Sequence, residues 1–464
     1  MPSSCSSSSS SGSNNNSSNT ASGFVHVSTA PAASATAASV GSTRTGVLRK
    51  MEKGTGCPGE DDADPLVVVA SYNRFDNLAH VPRGTTSDGN SLRVFRLHRK
   101  TATMTLLAVE DTLENPAFLR FHPEFNVLYA CTEDITRDNE VSCFAVSPTC
   151  GRLTHLQTQS AMGKSTCYLE LDSHRKHMLF VNYWDSVVGT MPLTDSGVLM
   201  PVIQTLKPER PVVAQDLKDH LANRQSEHHA HAIVLDPYFG KVAFIPDLGM
   251  DVIQQHHYDE ETGILTPSTN LACGPDSMKP HGPRYISFHP SKNAAYVVNE
   301  LSSTISVYEY DVVAARALSK GDSRPTLRFV QSVSTIPSAF PKKLNTCGRI
   351  CVDPTGSFVL VSNRGHNSIA VFAIRKTTVC GEAGSLEIVN YCHTKGRTPR
   401  HFQFDPSGAF LLSANQDTDS VTIFRFNQQT GALAFTGDVS DVPSPNFVCV
   451  FQPHMDYQRC SGKL

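Results

Sequence analysis

A unit of apolar strand, tight turn and second apolar strand recurs along the chain. It constrains the fold more than any other feature. PAFLRFHPEFNVLYACTED begins at Pro116, TCYLELDSHRKHMLFVNYWD at Thr166 and HAIVLDPYFGKVAFIPDL at His231. PRYISFHPSKNAAYVVNEL follows at Pro283, GRICVDPTGSFVLVSNRG at Gly348 and PRHFQFDPSGAFLLSANQD at Pro399. A seventh copy, PNFVCVFQP from Pro445, has only its first strand. Where a unit continues, a third strand alternates apolar and polar residues (TISVYEY, SIAVFAI) and a fourth follows (LRFVQSV, LEIVNYC). Four strands every fifty residues or so is the pattern of a β-propeller blade.

The ends of the series set the count. PLVVVASYN (65–73), SLRVFRL (91–97) and MTLLAVE (104–110) are three strands lacking an innermost partner, and the seventh copy supplies one. The expected fold is therefore all-β: a seven-bladed β-propeller with one blade closed by strands from both chain ends, which protects the sheet edges. The propeller is expected over 63–456, between a Ser/Asn-rich tail at 1–62 and a short tail at 457–464. The N-terminal tail carries no Asp or Glu over residues 1–51 and too little apolar surface to offset its ordering entropy, so it reads as disordered. The longest helix-like stretch, VVAQDLKDHLANRQSE, falls in an insertion at 205–228 between blades three and four.

Composition narrows the function classes. A net charge of −3 gives no basic field for nucleic acid, and no run of eighteen apolar residues exists to span a membrane. Thirteen scattered cysteines with no C-x-x-C read as reduced thiols. These features suit the cytoplasm. The terminal Gly462-Lys463-Leu464 resembles the Ser-Lys-Leu peroxisomal address, so a peroxisome-like organelle is the alternative. A closed propeller is expected to be a monomer.

One spacing points to a site. The first two strands of a blade form an antiparallel hairpin, so the start of one and the end of the next share an edge. The first-strand positions are Ala117, Cys167, His231, Arg284, Gly348 and Arg400; sixteen residues later stand Glu133, Tyr183, Asp247, Glu300, Arg364 and Gln416. The split blade contributes Phe447, with Tyr72 or Asn73 opposite. A single Arg–Glu pair at a rim is commonly a solvated salt bridge. A ring of them around one axis is different: like charges crowded there repel unless an anion joins them, and guanidinium groups bind carboxylate or phosphate bidentately. The expected partner is a small anionic substrate. His228, His229 and His231 form a histidine cluster, but with only Asp247 as a further ligand it falls short of a metal site.

At these residues the chain resembles the seven-bladed propeller lactonases, the family of propeller-type 6-phosphogluconolactonase and carboxy-cis,cis-muconate cyclase. The resemblance spans about residues 65–455 and is carried by GPRYISFHP, VVNELSSTISVYEYD, DPTGSFVLVSNRGHNSIAVF and PRHFQFDPSGAFLLSANQDTDSVTIF. It implies a cofactor-independent, metal-free site in which His231, Glu300 and Arg284 are catalytic. Arg364, Arg400 and Glu133 would then bind substrate, together with Asp247 and Gln416, which the spacing alone adds. The activity implied is hydrolysis of a sugar lactone, above all 6-phospho-D-glucono-1,5-lactone, with His231 as general base. The alternatives are a muconate-type cycloisomerase, or a non-catalytic propeller that binds a protein partner. The chain departs from the family at Arg349 and Cys351, where a small or acidic residue and a histidine are common. If that position shapes the pocket, the substrate differs; the 205–228 insertion is a candidate lid.

Overall fold

The structure, a computed structural model, describes residues 24–26, 64–86, 90–209, 224–275, 277, 279–375 and 384–455. Seven sheets form, each an antiparallel meander; in five of them all the strands run in chain order from the axis outward. In blade 1 the inner strand is Pro445–Phe451, followed by Leu66–Ser71, Leu92–His98 and Thr103–Glu110. Blades 2 to 7 begin with inner strands Pro116–Phe121, Thr166–Leu171, Val234–Leu235, Pro283–Phe288, Thr346–Val352 and Pro399–Phe404. The closure is as the terminal strands require: Leu66 pairs with Phe451 and Ala70 with Phe447, antiparallel.

The tail differs from expectation in one place. Phe24–His26 adds a fifth strand to the outer edge of blade 3, pairing with Gln204–Pro208, whose edge otherwise offers unpaired backbone groups. The rest of the tail, residues 210–223 of the insertion and Gly462-Lys463-Leu464 lie outside the described residues.

Burial explains why the sequence pattern changes across a blade. Second strands such as Leu66–Ser71 and Phe410–Asn415 are buried at every residue, because neighbouring blades cover both faces, and they read as continuous apolar runs. Outer strands such as Leu433–Asp441 face solvent and alternate. The Asp-Pro-x-Gly turns between first and second strands have a mechanism too. Asp353 Oδ1 accepts from the backbone N–H groups of Ser357 and Phe358 at 2.7 Å each, and Gly356 supplies the positive φ of +70°. Where histidine replaces that aspartate, its ring nitrogen does the same work: His289 Nδ1 accepts from Ser291 N at 3.0 Å and Lys292 N at 2.9 Å.

Gly348 is needed for a different reason. A β-carbon there would sit 2.5 Å from Ser362 Oγ and 2.9 Å from the Arg400 carbonyl of the next blade. Gly348→Ala must push the two inner strands apart. It is expected to cost about 1–3 kcal/mol of stability, seen as a lower denaturation midpoint; an unchanged midpoint would mean the blades are not in this close contact.

Candidate active site

The inner strands reach the axis with a shared irregularity. In blade 5, Pro283 pairs with Asn299 and Tyr285 with Val298, so Arg284 has no partner of its own. Blades 2, 3 and 7 skip Ala117, Cys167 and Arg400 in the same way. In blade 6 the pairing jumps from Cys347 to Ile350, past Gly348 and Arg349. A bulge re-aims the side chain it carries. This is why the sixteen-residue spacing works: Pro283 stands opposite Asn299, and their chain neighbours meet, Arg284 bulged out of the ladder and Glu300 just past its last rung. In blade 1 the skipped residue is Asn446, which corrects the expectation of Phe447. Phe447 pairs with Ala70 instead and stacks on His401 with ring centroids 3.6 Å apart.

Glu300 is the hub. Arg284 Nε lies 3.0 Å from its Oε2 and Arg364 Nη2 2.8 Å from the same oxygen. Arg224 Nη2 donates to Oε1 at 2.5 Å. The arginines are anchored elsewhere as well: Arg284 donates to the Gly348 carbonyl at 2.9 Å and Arg364 to that of Cys347 at 2.7 Å. Burial works to raise the Glu300 carboxyl, but Arg364, Arg224 and Arg284 more than offset it and hold it well below the usual carboxylate range. Arg364 shows the opposite imbalance. Burial pulls its guanidinium down to about 10 even with Glu300 opposing, because Arg284, Arg400 and Arg224 repel it. Its Nε is buried with no hydrogen-bond partner.

A second carboxylate sits across the axis. Glu133 accepts from the Tyr72 hydroxyl and, at 3.3 Å, from Ser165 Oγ. Arg400 Nη2 lies 3.9 Å from Glu133 and its guanidinium 5.4 Å from the Tyr72 ring centroid. Between the two carboxylates lies His231, buried, edge-on to Tyr183 at 5.1 Å and to Tyr285 at 5.4 Å, with Nδ1 3.8 Å from Cys167 Sγ. Burial and then Arg284 push its imidazole well below the ordinary value of 6.5, so it is neutral at neutral pH. Tyr72, Glu133, His231, Arg284 and Arg400 leave free space of only about 10 Å³ among them, barely one water. Above them the mouth opens in two lobes that both touch Thr346. One, of about 290 Å³, holds Arg364, Arg400, Gln416 and His80; the other, of about 590 Å³, holds Arg224, Lys279, Lys342 and Lys343.

The structure thus brings together seven of the sequence-derived candidates: His231, Arg284, Glu300, Arg364, Arg400, Glu133 and Gln416, the last 3.4 Å from His80 Nε2. It does not bring Asp247 into that group. Asp247 is fully buried and its oxygens are taken up by His228 Nδ1 at 2.5 Å, Gln254 at 2.8 Å and the His229 backbone N–H at 2.9 Å. Its place is to hold the segment that ends in His231. The three histidines turn different ways, His229 Nδ1 to the Tyr183 carbonyl at 3.1 Å, and no metal-holding group of His, Cys, Asp or Glu occurs among the described residues. Arg349 is also absent from the mouth: it faces a chamber at the far end of the axis. The repeat did not reveal Arg224 and His80. Arg224 lies in the insertion and His80 in the 74–86 loop, so neither has a register position in a blade.

Fold and site together define a closed propeller with a buried cationic cluster, centred on one carboxylate, at one mouth of its axis. The profile of the family described as Lactonase, 7-bladed beta-propeller matches residues 68–450, and the chain belongs to that family of lactone hydrolases. Among curated relatives, the 6-phosphogluconolactonase of Bacillus subtilis is 30% identical over 79% of this chain and 96% of its own length. That of Formosa agariphila is 27% identical over 74% of this chain and 91% of its own. In fold, the chain is similar to the periplasmic gluconolactonase of Pseudomonas aeruginosa, with a TM-score of 0.66 at 24% identity over 83% of this chain and 98% of that one.

Proposed function

We propose that this mouth hydrolyses a phosphorylated sugar lactone, 6-phospho-D-glucono-1,5-lactone, to 6-phosphogluconate, a cytoplasmic step of the pentose phosphate pathway. The observation that carries the reading is the charge imbalance. Four guanidinium groups (Arg224, Arg284, Arg364, Arg400) meet two carboxylates, and the orphaned Nε of Arg364 marks where the surplus is least satisfied. A bound anion removes that imbalance.

His231, neutral and beside the arginines, takes a proton from a water as it attacks the lactone carbonyl. Arg284 and Arg364 stabilise the oxyanion of the tetrahedral intermediate. As the intermediate collapses, the ring oxygen leaves and recovers the proton from His231. Glu300 does not react; it fixes the guanidinium groups. Lys342 and Lys343 at the wider lobe suit the phosphate of the substrate, which lies at the end of the sugar remote from the reacting carbonyl.

The test is a turnover assay on freshly generated phospholactone, corrected for spontaneous opening. Acceleration unaffected by chelator and lost in Arg284→Ala is expected. Lys342→Ala combined with Lys343→Ala is expected to raise KM for the phosphorylated lactone several-fold while leaving the unphosphorylated one unchanged. No acceleration, with strong competitive inhibition by a dicarboxylate, would move the assignment to a muconate-type cycloisomerase.

A further inference from the structure

The axis opens at its other end into a chamber of about 630 Å³, within the size range of small-molecule sites. It lies where the inner strands of blades 3 to 6 finish. Blade 4 contributes an inner strand of only two residues, Val234–Leu235, and leaves room there. The lining is mixed: Tyr168, Leu235, Phe239, Ile286 and Phe288 give it an apolar side, and charged residues the other. Tyr285 separates the chamber from the upper site, with the Arg284 guanidinium 4.3 Å from its ring centroid and that of Arg349 5.7 Å away.

The charges lining the chamber are committed, with one exception. Arg120 donates to the Leu169 carbonyl at 3.0 and 2.8 Å and to Glu170 at 2.5 Å. Asp236 is occupied by four backbone N–H groups between 2.8 and 3.1 Å, and Glu260 by His174 at 3.0 Å. Arg349 is left. Its Nε is buried with no hydrogen-bond partner, and among the described residues no carboxylate forms an ion pair with it.

We infer that this chamber is a second ligand site, taking a small carboxylate with an apolar body: the carboxylate pairs with the Arg349 guanidinium and the body rests on the aromatic walls. One unpaired planar cation beside an aromatic and aliphatic side suits a single oxyanion head with an apolar body. This differs from the upper mouth, which is multiply cationic, and does not depend on the activity proposed there.

The experiment is calorimetric titration of the full chain with benzoate, with inorganic phosphate as the comparison anion. Saturable benzoate binding is expected, tighter than any phosphate binding that depends on Arg349. It should weaken at least tenfold in Arg349→Met, weaken less in Arg349→Lys, and stay within twofold in Arg364→Ala. Melting curves identify folded variants, and Glu170→Gln, which removes the nearest negative charge while keeping the side-chain shape, is expected to tighten binding. No saturable benzoate binding, benzoate binding indifferent to Arg349 or lost in Arg364→Ala, or phosphate binding that is as tight as benzoate and equally weakened in Arg349→Met, each overturns the inference.

Discussion

Glu300→Ala is expected to cost the protein about 3–5 kcal/mol of stability, the range for removing one partner of a buried ion pair. The residue is 3% exposed, and Arg224, Arg284 and Arg364 all reach its carboxylate. Truncation leaves three guanidinium groups facing one another with no shared counter-charge. Urea titration measures the loss, and added phosphate is expected to restore part of it, because an anion that binds only the folded cluster stabilises by mass action. Glu300→Gln, which keeps the shape and removes the charge, should fall between alanine and the native protein. Unchanged stability in both variants would show that the arginines do not depend on this carboxylate.

The same carboxylate predicts a pH dependence. Its folded value lies well below the 4.5 of the free side chain, so its contribution is fully present above about pH 4.5. It is lost as pH falls below that toward the depressed folded value. The native protein should therefore lose stability on acidification through this window more steeply than Glu300→Gln.

The repeated unit made the fold legible. Buried second strands must be continuously apolar, exposed outer strands must alternate, and the turn from first to second strand needs an acceptor such as Asp353 or His289 to cap its backbone N–H groups. The site was legible for a narrower reason. A bulge at a fixed place in the inner strands turns one spacing into one location, so Arg284, Glu300, Arg364 and Arg400 could be placed by counting. The count misplaced Asp247 because it ignores what else competes for a carboxylate, here His228 and two backbone segments. It misplaced Phe447 by one residue because the bulge in blade 1 falls at Asn446. Arg224 and His80 stand outside the repeat, and only the folded chain shows that Arg224 reaches Glu300.

His231→Ala is expected to lower kcat by about 10²–10⁴-fold with little change in KM, the usual range for a lost general base. The size of the loss follows from the division of labour at the mouth. On the proposed mechanism Arg284, Arg364 and Arg400 hold the anion whether or not the imidazole is present, so binding should survive while the attacking water loses its proton acceptor. The pH profile separates this role from a structural one. Burial and Arg284 depress the imidazole below 6.5 in the free protein, so the acid limb of kcat/KM should lie below that value. A bound anion offsets the arginine charge, so the limb of kcat should sit at higher pH than that of kcat/KM. Arg284→Ala removes one cause of the depression and should move the kcat/KM limb upward on whatever activity remains. A His231→Ala protein with full turnover, or a profile whose acid limb ignores both substitutions, would assign the proton transfer to another group, with Glu133 a carboxylate lining the same enclosed space.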